Sequence, residues 1–241
     1  MVAIPNLLLA SLPRREYLRL VPGLTPVDLT FGDILYEAGS RMRYVYFPTA
    51  SLVSLLTVVE GHLALEVGLV GPEGVVGIPL SLGINVSPVR ALVQGGGAAL
   101  RMSREGFLSA LRFSPSLQRA SNAYVHSLMG QIAQTAACNR FHVVGARLAR
   151  WLLMTRDRVG SGEFRMTHEF LSSMLGVRRE GVTVAASTFN RQHLIEYTRG
   201  KIKILDHPGL EAAACSCYRL AGTVPGALKH WRPGTPGPAQ D

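Results

Sequence analysis

The residues from Met166 to Val184, M-T-H-E-F-L-S-S-M-L-G-V-R-R-E-G-V-T-V, constrain this chain most. Thr167 is a good helix N-cap, and Glu169 places negative charge in the first turn, where a helix favours it. Phe170, Leu171, Met174 and Leu175 then form one apolar face. Gly176 ends the helix, because glycine enters the left-handed conformation at little cost. A second helix is predicted to start near Arg178, with Val182 and Phe189 facing inward. Two short helices joined by a glycine turn make a helix-turn-helix, whose second helix can lie in a DNA major groove. Arg178, Arg179 and Glu180 at its start suit the edges of G and C. The pattern alone also describes any helical hairpin, so the flanks have to decide.

Charge favours the DNA reading. Between Arg140 and Arg219 stand thirteen Lys or Arg and seven Asp or Glu, whereas residues 1–139 hold ten and eight. A basic region that coincides with such a motif points to a polyanion, nucleic acid before membrane surface. Three cysteines, Cys138, Cys215 and Cys217, make no disulfide framework in 241 residues. The N-terminal run lacks a basic leader and stops at Pro13-Arg14-Arg15, and no later segment is long enough to span a bilayer. A cytoplasmic protein with no membrane partner is expected.

Residues 6–20 read as one amphipathic helix through Leu8, Leu9, Leu12, Tyr17 and Leu20. From Val27 the texture becomes short β-rich runs: Val27–Leu29, Ile34–Tyr36, Tyr44–Phe47, Leu52–Val59, Ala64–Val70, Val89–Val93 and Ala98–Met102. Glycine-bearing turns separate them, and regular short strands of this kind predict an antiparallel sandwich or barrel. Ser103 opens a helical region with Phe107, Leu108 and Leu111. Pro115 starts a long helix to about Cys138, whose stripe of Tyr124, Val125, Leu128, Met129, Ile132, Ala133 and Ala136 is too wide for one contact surface. One side can cover the β-domain and the other a second copy of the chain.

Asn139–Val144 is the predicted hinge. Ala146–Val159 follows as a helix with Leu148, Trp151, Leu152 and Val159 inward and Arg147, Arg150, Arg156 and Arg158 outward. After the two helices of the motif, residues 193–205 alternate on both sides of Arg199-Gly200, which reads as a hairpin wing with a basic tip. The Pro- and Gly-rich stretch 221–241 is expected to be a flexible tail. The fold class is therefore α+β: an antiparallel β-domain at 1–114, a long helix at 115–139 that either meets a second copy or is buried within one chain, and a winged helix-turn-helix domain at 140–220.

This order of parts resembles the Crp/Fnr family of bacterial transcription regulators. The resemblance extends to F-G-D-I-L-Y-E-A-G-S (31–40), Y-V-Y-F-P (44–48), E-V-G-L-V-G-P-E-G-V-V-G (66–77), R-L-A-R-W-L-L-M (147–154), L-G-V-R-R-E-G-V-T (175–183) and R-G-K-I-K-I-L-D (199–206). It covers about nine-tenths of the chain. It implies that residues 1–114 are a jelly-roll-like, cyclic-nucleotide-binding-like β-roll sensor for an effector of unknown identity, that 115–139 is a dimerisation helix, and that the homodimer binds an inverted repeat in DNA and works with RNA polymerase; no cofactor is expected. Thr167, His168, Arg178, Arg179, Glu180, Thr183, Val184, Arg199 and Lys201 would meet duplex DNA. Tyr124, Val125, Leu128, Met129 and Ile132 would form the dimer seam.

Three departures stand out. Cyclic-nucleotide members carry a glutamate for the ribose and an Arg-Ser pair for the phosphate, but this chain has Gly77-Ile78-Pro79-Leu80 and Asn85-Val86-Ser87-Pro88-Val89-Arg90. A cyclic phosphate would lack its partners, so cyclic AMP is not the expected effector. Iron–sulfur members need an N-terminal cysteine cluster, and no cysteine precedes Cys138. A second base-reading arginine is often found where this chain has Val184.

Elsewhere the chemistry is sparse. Cys215-x-Cys217 could be half a metal site, but no second pair or nearby histidine completes it in the sequence, so a structural or incidental role and no metal are expected. The seven histidines are scattered, and His142 at the hinge is the one placed to act as a switch. Gly95-Gly96-Gly97 lacks the Gly-Lys-Ser/Thr ending of a phosphate loop and reads as a hairpin turn. No catalytic constellation stands out. Two readings remain open: a DNA-binding regulator, or a β-barrel binding protein or enzyme whose helical end makes protein contacts.

Overall fold

The computed structural model describes residues 6–58, 64–198 and 200–221. Two short helices, α1 (Leu7–Ala10) and α2 (Arg14–Leu20), replace the single helix expected over 6–20. Pro13, with no N–H to continue the ladder, separates them. Seven strands follow: β1 (Thr25–Leu29), β2 (Ile34–Tyr36), β3 (Tyr44–Pro48), β4 (Leu52–Thr57), β5 (Leu65–Val70), β6 (Arg90–Gly95) and β7 (Gly97–Ser103). They form two antiparallel sheets, β1-β7-β3 and β2-β6-β4-β5. All seven expected runs are strands, because apolar alternation between glycine turns leaves each run one buried face. The triple glycine is not a hairpin turn, however. It carries the chain from one sheet to the other, and a Cβ on Gly97, at φ +148°, would stand 2.4 Å from the Ala50 carbonyl oxygen.

Helix α3 (Arg104–Phe113) is capped by Ser103, whose Oγ accepts from the Gly106 N–H at 3.1 Å. Helix α4 (Pro115–Phe141) has Pro115 in its first turn and is capped by Ser114, whose Oγ accepts from the Leu117 N–H at 3.1 Å. It runs to Phe141, a little beyond the expected end near Cys138, and the break at His142-Val143 falls within the expected hinge of 139–144. Tyr124 and Leu128 are buried in the β-roll core rather than on a free seam. A Cβ on Gly74 would lie 2.2 Å from the Tyr124 ring, so the glycine of Pro72-Glu73-Gly74 exists to receive that tyrosine. Val125 and Ile132 are half-buried beside it, and of the five expected seam residues Met129 alone stands open, at 65% exposure. The exposed stripe of α4 is instead Asn122, His126, Met129, Ala133, Ala136 and Arg140, spaced alternately by four and three.

The C-terminal domain comprises α5 (Val144–Val159), β8 (Glu163–Arg165), α6 (His168–Leu175), α7 (Arg179–Arg191), β9 (Ile195–Thr198), β10 (Lys201–Ile204), α8 (His207–Ala213) and α9 (Cys217–Ala221). The wing is the expected hairpin, enlarged by β8 on the far side of β10. The expected tail from 222 lies outside the described residues.

Helix α5 departs most from expectation. Residues 147–155 are buried without interruption, Arg147 and Arg150 among them, while Val159 is exposed. The helix is covered on one side by its own domain and on the other by the β-roll, whose Leu56 enters the C-terminal core. Arg150 reaches Thr135 of α4 at 3.1 Å, and Arg158 pairs with Glu73 at 2.7 Å. Three arginines counted toward a basic surface are thus structural.

Glu66 lies at the centre of this contact. Its carboxyl accepts from Trp151 Nε1 at 3.0 Å and meets Ser54 Oγ at 2.7 Å. Ser54 also contacts Gln94 Oε1, and Gln94 Nε2 donates to Thr155 at 3.3 Å. With the Gln94 oxygen towards Ser54, one hydroxyl proton cannot serve two acceptors, and a protonated Glu66 completes the chain. Desolvation raises Glu66 to about 7 in agreement, against the lowering influence of Ser54, Trp151, Arg150 and Arg158. Between its ordinary 4.5 and about 7, the native fold holds a proton that the unfolded chain has released. The stabilisation is complete below that window and lost as pH rises through it. Chemical denaturation across pH 5 to 8.5 should show a loss on the order of 2–3 kcal/mol, and Glu66→Gln should flatten the profile.

Candidate nucleic-acid interface

The helix-turn-helix is built as its residues dictate. Thr167 Oγ1 accepts from the Phe170 N–H at 3.1 Å, and Gly176 closes α6 in the left-handed conformation at φ +60°. Leu171, Met174 and Leu175 enter the core, while Phe170 is half-buried and meets the Phe31 ring of the β-roll at 5.5 Å. The Leu175 carbonyl, left unpaired at the helix end, accepts from Arg147, which also holds Asn139 Oδ1 at 2.8 Å. That cation at a helix C-terminus fixes α6 against α5.

Helix α7 buries Val182, Ala185, Ala186 and Phe189 and presents its opposite face to solvent. Arg178 occupies the N-cap position without a side-chain cap, and although the Gly181 N–H donates to the Arg178 carbonyl at 3.0 Å, the Arg179 and Glu180 amides stay open to an anion. Arg178, Arg179, Glu180 and Thr183 are exposed, and Val184 is 67% exposed. None of Arg178, Arg179 and Glu180 forms an ion pair with another described residue. A surface Arg–Glu pair therefore does not account for them. The five residues form one open patch at the start of the helix, able to donate to and accept from base edges.

Two expected contact residues are already engaged. Thr183 donates to the Arg179 carbonyl at 3.0 Å, and its Oγ1 lies 3.0 Å from His168 Nδ1. The His168 ring stacks on Tyr197 of β9 at 4.3 Å. Burial, then the Arg179 charge, lowers the His168 pKa, which keeps the imidazole neutral for this stack. His168 therefore joins α6, the recognition helix and the wing, and its place is a buttress rather than a free donor. Tyr197, which the sequence reading did not single out, completes it; its alternation on β9 signalled burial but not the stack. Lys201 is exposed at the wing, 3.3 Å from Glu163 across the β8–β10 pair. Arg199 lies outside the described residues.

A second feature is an apolar cavity of about 160 Å³ between the β-roll and α4. Tyr36, Leu55, Val67, Ile78, Val89 and Leu128 are among its walls, and among the described residues no charged side chain lines it. Residues Ile78–Leu82 form a single 3-10 turn beside it, and Arg90 is turned away to Glu37 at 2.7 Å.

The Cys215-x-Cys217 pair is not isolated. Cys138 and His142, one turn apart at the end of α4, stand beside it, so the structure supplies the partners that sequence spacing did not reveal. Burial and the neighbouring thiols push Cys215 up to about 12.

Comparison with known proteins identifies these parts. Residues 146–213 match the family of Crp-like helix-turn-helix domains. No curated protein sequence matches the chain. Among solved structures, FixK2 from Bradyrhizobium japonicum superposes with a TM-score of 0.69 at 15% identity, over 80% of this chain and 98% of that one. The c-di-GMP responsive global regulator CLP of Xanthomonas campestris gives 0.66 at 14% identity, over 80% and 100%. A transcriptional regulator of the CRP/FNR family from Thermus thermophilus gives 0.63 at 22% identity, over 79% and 98%. At these identities the likeness is one of fold.

Proposed function

From a Crp-like helix-turn-helix domain carried on a Crp/Fnr fold, we infer that this chain is a Crp/Fnr-type transcription regulator that reads duplex DNA through the start of α7. The observation that carries the reading is the open patch of Arg178, Arg179, Glu180, Thr183 and Val184, whose charges have no described partner within the chain. A barrel enzyme or protein-contact module would have no use for unpaired arginines beside an unpaired glutamate at the outer start of a recognition helix.

The roles divide by chemistry. Arg179 takes the O6 and N7 of a guanine, and Glu180 accepts from a cytosine amino group, since a carboxylate cannot approach phosphates cheaply. Arg178 and the open first-turn amides hold the backbone. Val184 can touch a thymine methyl but cannot replace an arginine. Thr183 and His168 set the angle between recognition helix and wing, and Lys201 holds a phosphate. RNA polymerase is the partner through which such a regulator acts.

The functional unit is a two-fold dimer recognising an inverted repeat. Supporting it is the exposed α4 stripe through Met129, Ala133 and Ala136, whose three-four spacing matches a coiled-coil seam with residues small enough for close approach. The sensor takes an apolar or neutral effector in the cavity beside α4, because a phosphodiester buried there would find no cation.

Three measurements test these assignments. Selection from randomised DNA should show that Arg179→Ala relaxes one position per half-site at a cost of about 1–3 kcal/mol. Lys201→Ala should weaken all sequences alike and flatten the salt dependence; identical shifts for the two variants would show the roles to be wrong. Light scattering should find a dimer that Ala133→Glu converts to a folded monomer with weaker DNA binding. Calorimetric titration with cyclic AMP and cyclic GMP should show no micromolar binding.

A further inference from the structure

The last turn of α4 and the segment before α9 bring together four soft donors that the DNA-binding reading does not use. Cys138 and His142 are four residues apart and therefore project from one face of the helix. Cys215 and Cys217 come from the other end of the C-terminal domain, with the whole helix-turn-helix and wing between the two pairs in sequence. Cys138 Sγ stands 3.5 Å from Cys215 Sγ, and Cys217 Sγ stands 3.5 Å from His142 Nδ1. All four donor atoms lie within 4.8 Å of one another. The three cysteines are buried and His142 is half-buried, so a ligand here would sit at the edge of the protein with its sulfurs inside.

We propose that Cys138, His142, Cys215 and Cys217 form a structural Zn²⁺ site that clamps the end of the C-terminal domain to the end of helix α4. Three thiolates and one imidazole are a common structural zinc set, four-coordinate and closed to water. A tetrahedral ion with metal–sulfur bonds of about 2.3 Å holds its sulfurs roughly 3.8 Å apart; Cys138 and Cys215 already stand at 3.5 Å, and the whole group within 4.8 Å. An iron–sulfur cluster would spread its ligands around several irons and does not fit so tight a group. The surroundings suit a site of net negative charge. Gln134 Nε2 donates to Cys217 Sγ at 2.9 Å, and the Arg147 guanidinium lies near Cys138 and Cys215. Such outer contacts orient the ligands and offset the thiolate charge. Binding releases the thiol protons to solvent, one for each cysteine that ligates as thiolate.

The location gives the site a consequence. The chain breaks at His142-Val143, between the helix proposed to dimerise and the domain proposed to bind DNA. An ion held by both sides of that break removes the freedom of the joint and sets the angle between recognition helices in a dimer. The site itself rests on none of those readings, because its existence is tested without DNA.

Full-length protein purified under reducing conditions and reconstituted with Zn²⁺ should hold about one Zn²⁺ per chain by elemental mass spectrometry. Co²⁺ in its place should give the intense visible absorption of tetrahedral thiolate coordination. Cys215→Ser/Cys217→Ser should lose at least nine-tenths of the metal. His142→Ala, at a half-exposed position that does not threaten the core, should keep its circular dichroism and release zinc at least tenfold faster to a chromophoric chelator. Failure to bind zinc after reconstitution, metal retained in both variants, an iron–sulfur chromophore in anaerobically isolated protein, or a Cys138–Cys215 disulfide in place of metal would each overturn the proposal. Each arm is read without DNA, so DNA binding can fail while the metal result stands, and the reverse.

Discussion

The protein depends on a helix that is buried on both sides. Helix α5 begins the DNA-binding domain, yet residues 147–155 have no open face, because the β-roll covers what the domain itself does not. Several of the polar groups this traps pair across the boundary, Glu66 with Trp151, Glu73 with Arg158 and Gln94 with Thr155, while Arg147 Nε and Arg150 Nε have no hydrogen-bond partner among the described residues. A buried ion pair is costly to break once formed, since either partner left alone remains desolvated. The boundary between the β-roll and the helix-turn-helix domain is therefore not a loose linker. It is a packed surface whose polar groups would lose their partners if the two halves separated.

That surface lies close to the cavity beside α4. A cavity without charge lies on the β-roll side of α4, and Leu128 is both a wall of that cavity and a neighbour of Gly68 in β5. Strand β5 also carries Glu66, the carboxyl that holds Trp151. A ligand in the cavity would thus press on the same strand that anchors α5, through two packed contacts. Packed cores transmit displacement because they have no empty space to absorb it.

The recognition end is organised differently. Arg178, Arg179 and Glu180 at the start of α7 are exposed, while the groups behind them are tied: Thr183 to His168, His168 to Tyr197, Arg147 to the end of α6. Rigidity behind and freedom in front is the arrangement that a reader of base edges requires, since misaligned hydrogen bonds lose their discrimination. His168 and Thr183 contribute to that rigidity through their contact with each other and the His168 stack on Tyr197.

Much of this was legible in the residues. Local rules set the seven strands of the roll, the Thr167 and Gly176 caps, the hairpin at Gly200 and the exposed start of α7, because caps, turns and periodicity act over a few residues. The N-terminal break was legible too, since Pro13 cannot continue a helix, although the apolar spacing across it concealed the point. What a stripe faces was not legible. Tyr124 and Leu128 have the same spacing whether they meet a second copy or their own β-roll, and only the shape of the roll at Gly74 and Gly68 decides. Arg147, Arg150 and Arg158 read as a solvated face until a second body covers them. Cys138 and His142 lie more than seventy residues from Cys215 and Cys217, so no local spacing could join them. The sequence by itself determined which elements form and which helix could read DNA. The tertiary structure decided which faces are covered and which distant side chains meet, because both depend on surfaces that exist only after the chain has packed.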